Sequence, residues 1–184
     1  MKLPTLLALL RLALVLAVLA PFAHAAPGLA VGTTAPDFAL PSVRGEQVTL
    51  NELLRKGPVA LVFYRSADWC PFCIRQLKDL QARRADFEKA GLQLVGISYD
   101  APETLAKAVA KHGLDLTLLA DVGSGTIEAY GIRNETLKGR ATGVPHPTVF
   151  VVDAQGVIRA KLARDGYKDR PEADEIIAAA KALR

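Results

Sequence analysis

"VALVFYRSADWCPFCIRQLKDL", Val59 to Leu80, holds both cysteines of the chain and changes its hydrophobic pattern between them and the residues before them. Pro58 to Tyr64 is a continuous apolar, β-branched run of strand length, the pattern of a strand covered on both faces. From Pro71 the spacing turns helical: Ile74, Leu77, Leu80 and Phe87 recur broadly at three to four residues, which predicts a helix over Pro71 to Lys89. Gly91 stands where a left-handed residue would stop it. The stretch therefore reads as a buried strand, a short loop and a helix, with Cys70 and Cys73 at the helix start.

Upstream, "GLAVGTTAPDFALPSVRGEQVTLNELLRKG" is rich in Gly and Pro and predicts a loose entry, a hairpin turning near Arg44-Gly45-Glu46 and a short helix from Asn51 to Arg55. Downstream the alternation continues with a strand at Leu92 to Ser98 and a helix at Pro102 to Gly113, Pro first and Gly last. A short strand at Leu116 to Ala120 and a helical turn from Ser124 to Tyr130 come next. Thr148 to Val152 and Val157 to Ala163 are two strands whose connection, Asp153 to Gly156, is short enough to force antiparallel pairing. Pro171 to Leu183 closes the chain as a helix. Alternating strands and helices followed by a hairpin predict an α/β fold, a mixed central sheet with helices on both faces.

Of the 184 residues, the first 25 read differently from the rest. Lys2 and Arg11 flank or interrupt a Leu, Ala and Val run from Leu3 to Ala20, which ends in "PFAHAA" with small residues at Ala23 and Ala25. This is the pattern of a secretory signal peptide cut between Ala25 and Ala26. The run falls short of the roughly 20 apolar residues that a bilayer crossing needs, so stable membrane insertion is expected only if the leader stays uncleaved. The mature chain, residues 26–184, then has 159 residues in one domain. Its formal charge falls from +4 to +2 with the loss of Lys2 and Arg11, too little to point to nucleic acid or an anionic membrane as partner. The expected location is outside the cytoplasm, in a periplasm or its equivalent.

An oxidising compartment pairs cysteines unless their reactivity is in use. The one intramolecular pairing open to this chain, Cys70 with Cys73, would close a four-residue ring worth only about 2 kcal/mol in chain entropy, against about 4.7 for a hundred-residue loop. Stability is a weak reason for it. At positions i and i+3 of a first helical turn the sulfurs can open and close without moving the backbone. The free N–H groups and positive end of the helix favour thiolate at Cys70, and Pro71 suits the first helical position because it has no N–H to leave unsatisfied. Cys70 reads as the attacking sulfur and Cys73 as the resolving one. A zinc site would need about four ligands, and the mature chain offers these thiols plus His112 and His146 at unrelated spacing. No metal or organic cofactor is implied. "DVGSGTIEAYG" lacks the Lys of a phosphate-binding loop and reads as a loop and helix start.

"WCPFC" at a strand-to-helix junction, with "HPTVFVVD" leading into a hairpin, resembles the thioredoxin superfamily, whose fold is three-layered with a mixed central sheet. The resemblance implies Trp69 as the aromatic beside the nucleophile Cys70, Cys73 as the resolving thiol, and Pro147, followed by Thr148, as a cis-proline that holds a substrate near the sulfur. "VGTTAPDFALPSVRGEQVTLNELL" and "LVGISYDAPETLAKAVAKHGLDLTLLAD" on either side are similar to the peroxiredoxin branch, the alkyl hydroperoxide reductase and thiol-specific antioxidant group, over about Gly32 to Leu183. The site departs from that branch. A Pro seven residues and a Thr or Ser three residues before the peroxidatic Cys are Phe63 and Ala67 here, and the usual Arg is Pro147. Arg65 and Ser66, within a turn of Cys70, are the candidates to replace the missing groups. An ion pair with Asp68 is the alternative for Arg65. His146, beside Pro147, is a candidate for tuning the thiolate.

Three functions follow from these residues. The first is an exported thiol-disulfide oxidoreductase cycling Cys70 and Cys73 on a disulfide-containing or dithiol protein substrate. The second is a thiol-dependent peroxidase in which Cys70 meets peroxide, Cys73 resolves the sulfenic acid, and an unidentified thiol donates electrons. The third is a non-catalytic binding domain with a permanent disulfide.

Overall fold

The computed structural model describes residues 26–181. The expected leader and its cleavage site between Ala25 and Ala26 lie wholly or partly outside them. Seven strands and six α-helices follow in order: β1 (Ala39–Pro41), β2 (Gln47–Thr49), α1 (Leu50–Leu54), β3 (Val59–Phe63), α2 (Pro71–Ala82), α3 (Arg84–Lys89), β4 (Gln93–Ser98), α4 (Pro102–His112), β5 (Thr117–Ala120), α5 (Gly125–Ala129), β6 (Thr148–Val152), β7 (Ile158–Ala163) and α6 (Ala173–Lys181). β1 and β2 form the small hairpin, and Thr49 caps α1 in a reciprocal capping box with Glu52.

The main sheet runs β5-β4-β3-β6-β7. β3 lies parallel to β4, β4 parallel to β5, and β6 and β7 are antiparallel neighbours on the other side. Every residue of β3 is buried, as its unbroken apolar run predicts for a central strand. Alternate residues send Leu61 and Phe63 to the face covered by α1 and α5, and Ala60 and Val62 to the face covered by α2, α3 and α6. A third apolar cluster joins Tyr64, Leu77 of α2, Leu105 of α4 and Leu118 of β5, and Cys70 and Cys73 belong to it. Gly96 of β4 lets these groups close: a Cβ there would lie 2.7 Å from Leu118 Cδ2 and 3.1 Å from the Tyr64 ring. The mixed sheet with helices on both faces is the architecture read from the sequence.

One expected helix is two. The pattern predicts a helix from Pro71 to Lys89, but the backbone leaves the helical region at Arg83 (φ −101°, ψ 14°), which ends α2 and starts α3. Arg83 bridges Asp86 of α3 and Asp174 of α6 through its guanidinium. Leu80 and Phe87, on either side of the break, both reach the same apolar cluster. Hydrophobic spacing alone therefore runs through the bend unchanged.

Candidate active site

The sulfurs sit where β3 gives way to α2. Cys70 is the N-cap of α2 in extended backbone, Pro71 is the first helical residue, and the Cys70 Sγ accepts the Cys73 N–H at 3.3 Å. Cys70 and Cys73 are disulfide-bonded with their Cα atoms 5.3 Å apart, the separation a disulfide prefers. Exposure is 2% for Cys70 and 0% for Cys73. Both cysteines are buried, and Cys70 is held at the positive end of a twelve-residue helix.

The loop between β3 and α2 is held from the end of β4. Asp100 accepts hydrogen bonds from Ser66 Oγ (2.8 Å), the Ala67 N–H (2.7 Å) and Ser98 Oγ (2.8 Å). Ser66 Oγ also accepts the Asp68 N–H at 3.0 Å. Ser66, a candidate to replace the missing groups, gives its hydroxyl proton to Asp100 beyond β4 and accepts the Asp68 N–H, so these two bonds hold the loop. Burial raises the Asp100 carboxyl above the usual range against these hydrogen bonds, which pull it down. A carboxyl raised on folding binds its proton more tightly folded than unfolded. Its contribution is present below the unfolded value of about 3.9 and is lost as pH climbs through the raised folded value. Thermal melts from pH 3 to 7 are expected to show wild type losing ground to Asp100→Asn as pH rises, whereas a constant difference would contradict this.

Trp69 packs against the cysteine cluster and donates its indole N–H to Tyr99 Oη at 3.0 Å, while Tyr99 donates to the Arg140 carbonyl. It is partly buried beside Cys70, as the motif implies. Arg65 is not paired with Asp68. Its guanidinium lies 4.8 Å from the Trp69 ring centre and 4.6 Å from that of Tyr167, geometry suited to cation–π attraction. Its Nε is buried with no hydrogen-bond partner, and burial lowers its pKa.

The other strand end supplies His146, Pro147 and Thr148. Among the described residues every peptide bond is trans, so the expected cis-proline at Pro147 is corrected. A trans X–Pro bond is the intrinsically favoured isomer, and the His146 N–H bond to the Ile132 carbonyl at 2.7 Å fixes the extended approach to β6. Thr148 Oγ1 donates to the His146 carbonyl at 2.9 Å, so its side chain caps the turn. His146 is half-buried, with its pKa lowered by burial. Arg65, His146, Pro147, Thr148 and Tyr167 share the wall of a cavity of about 450 Å³.

Three groups near the sulfurs were not legible in the sequence. Arg170 brings Nη2 to 3.7 Å from Cys73 Sγ, and Tyr167 lies edge-on to Phe72 with ring centres 5.8 Å apart. Both belong to the irregular segment between β7 and α6, which carries no periodic signal. Asp100 had one available signal: it stands two residues beyond "GIS", the end of a strand parallel to β3, and such strands open at the same edge of a sheet.

A redox-capable Cys-X-X-Cys at the start of a helix, on a mixed sheet with a hairpin at its end, defines a thiol-dependent oxidoreductase of thioredoxin-like fold. Residues 31–161 match the model of the AhpC/TSA family. Peroxiredoxin Bcp of Escherichia coli is 34% identical over 131 residues, which is 71% of this chain and 83% of that protein. Peroxidoxin BcpB from Mycobacterium tuberculosis superposes with a TM-score of 0.74 at 28% identity, covering 84% of this chain and 97% of that one. AhpC from the same organism has a TM-score of 0.73 at 20% identity, over 85% and 94% of the two chains, a likeness of fold. The chain belongs to the AhpC/TSA family and is a peroxiredoxin-like oxidoreductase.

Proposed function

We propose that this protein is an exported thiol peroxidase with Cys70 peroxidatic and Cys73 resolving. Cys70 at the α2 N-terminus, already within bonding reach of Cys73, carries the proposal. The Cys70 thiolate attacks one peroxide oxygen, the O–O bond breaks, and the other oxygen leaves as water or alcohol after taking a proton. The Cys73 thiol then attacks the sulfenic sulfur, releasing water and forming the disulfide. Arg65 takes the place of the arginine that Pro147 displaces: its donors are free of carboxylates and it stands on the cavity wall next to Trp69. Export rests on the leader-like composition of residues 1–25.

Disulfide exchange, the first function read from the sequence, keeps one observation in its favour. Phe63, Ala67 and Pro147 stand where the family places its peroxide-activating groups, while the Cys-X-X-Cys pair closes without helix unwinding. The family-wide match favours the peroxidase. The rate of oxidation by hydrogen peroxide separates the two. The peroxidase is expected to lose both free thiols together to one equivalent per chain, as counted by alkylation and mass spectrometry, far faster than free cysteine does; loss no faster than that of free cysteine would refute it.

A further inference from the structure

Four arginines surround the cysteine pair without a carboxylate partner. Arg65 and Arg140 both approach the Trp69 ring, at 4.8 and 5.1 Å from its centre. Arg75 lies over Phe72 at 5.5 Å, and Arg170 contacts Cys73. Burial first, and then repulsion from Arg65 and Arg75, brings the Arg170 pKa down to about 10 against the opposing pull of Asp169. The Nε atoms of Arg65 and Arg170 are buried and unpaired. Among the described residues, none of the four is within 4.0 Å of an acidic oxygen, whereas Arg83, Arg84, Arg159 and Arg164, the last on the same cavity wall as Arg65, each hold a carboxylate. Gathered like charge and buried unpaired donors both cost stability. An arriving anion removes both costs.

Peroxide is neutral and does not discharge such a cluster. The other reactant in a thiol cycle is the reductant, which attacks as a thiolate. The sulfurs are almost wholly buried, and Arg65 of the cluster lines a cavity of about 450 Å³ whose wall also holds Arg164 and Asp165 but neither cysteine; its volume, within the about 300–1,000 Å³ of small-molecule sites, suits a small thiol. We propose that the reductant is a low-molecular-mass thiol bearing carboxylate, held by Arg65 in the cavity beside Tyr167 and His146. This rests on the Cys70–Cys73 disulfide being the oxidised state of the cycle. The reductant's thiolate attacks Cys70 Sγ, the S–S bond breaks, and its electron pair leaves on Cys73 Sγ beside Arg170. A second reductant thiolate attacks the mixed disulfide, forming the reductant disulfide and freeing Cys70. Two electrons pass, and two protons are taken up by the released thiolates.

The test uses the oxidised protein and three probes: mercaptosuccinate (anionic), 2-mercaptoethanol (neutral) and cysteamine (cationic), with rates expressed per thiolate and corrected for thiol basicity. Disulfide opening is followed by Trp69 fluorescence and by thiol counting. Mercaptosuccinate is expected to be fastest and cysteamine slowest, about tenfold or more apart at low salt, and the gap to close at 1 M salt. Arg65→Gln is expected to cut the anionic preference at least threefold, with Arg140→Gln as a second variant should the first misfold. Equal rates for the three thiols, a faster cationic thiol, or a preference unaltered in a folded Arg65→Gln protein would overturn the proposal. No peroxide enters the assay, so charge ranking without peroxide reactivity would sink the peroxidase reading alone.

Discussion

Cys70→Ser is expected to abolish peroxide turnover, lowering kcat/KM by about 10⁴-fold or more, the scale seen when a covalent nucleophile is removed. A hydroxyl does not ionise at neutral pH, so the helix start that favours a thiolate at this position has nothing to stabilise. Cys73→Ser has a different outcome. That variant keeps the peroxidatic sulfur and is expected to consume one equivalent of peroxide at a near-normal rate, then stop as a Cys70 sulfenic acid. Trapping that acid with dimedone and weighing the adduct distinguishes the two variants. Turnover by Cys70→Ser, or a trapped adduct on Cys73 of the wild type, would reverse the roles.

Phe150→Ala is expected to produce the largest loss of stability from a single change in the sheet, about 3–5 kcal/mol. Phe150 is fully buried on β6. Its ring meets Phe63 at 5.9 Å and Tyr130 at 5.3 Å between ring centres, so truncation opens a cavity in the cluster joining β3, β6 and α5. For a domain of this size each kcal/mol moves Tm by about 2–4 °C, giving a drop of about 10 °C. Urea unfolding with an unchanged m-value checks that the loss lies in packing. A shift below about 1 kcal/mol would mean that the three rings do not form one packed unit.

The residues that carry the chemistry were legible because they lie on patterns with a physical period. β3 was readable from its unbroken apolar run, α2 from the spacing of Leu77 and Leu80, and the junction between them from Cys70 and Pro71. The β6–β7 hairpin was readable from the short Asp153 to Gly156 turn, where Asp153 accepts the Gln155 and Val157 N–H groups. What the sequence concealed lies in long-range placement. Arg170 is 97 residues from Cys73, on a loop with no repeat to announce its direction. The break at Arg83 was invisible because Leu80 and Phe87 serve one cluster on both sides of it. Ser66 was read by its nearness to Cys70, yet the partner that determines its orientation is Asp100, 34 residues on.

The central claim is that Cys70 is built to react with peroxide, and Trp69, the only tryptophan of the chain and its immediate neighbour, reports on it directly. Reduced protein mixed with hydrogen peroxide in a stopped-flow instrument is expected to change Trp69 fluorescence at a rate linear in peroxide and far above that of a free thiolate. A rate no faster than a free thiolate, with rapid oxidation by a disulfide substrate instead, would contradict the peroxidase and return the site to thiol-disulfide exchange.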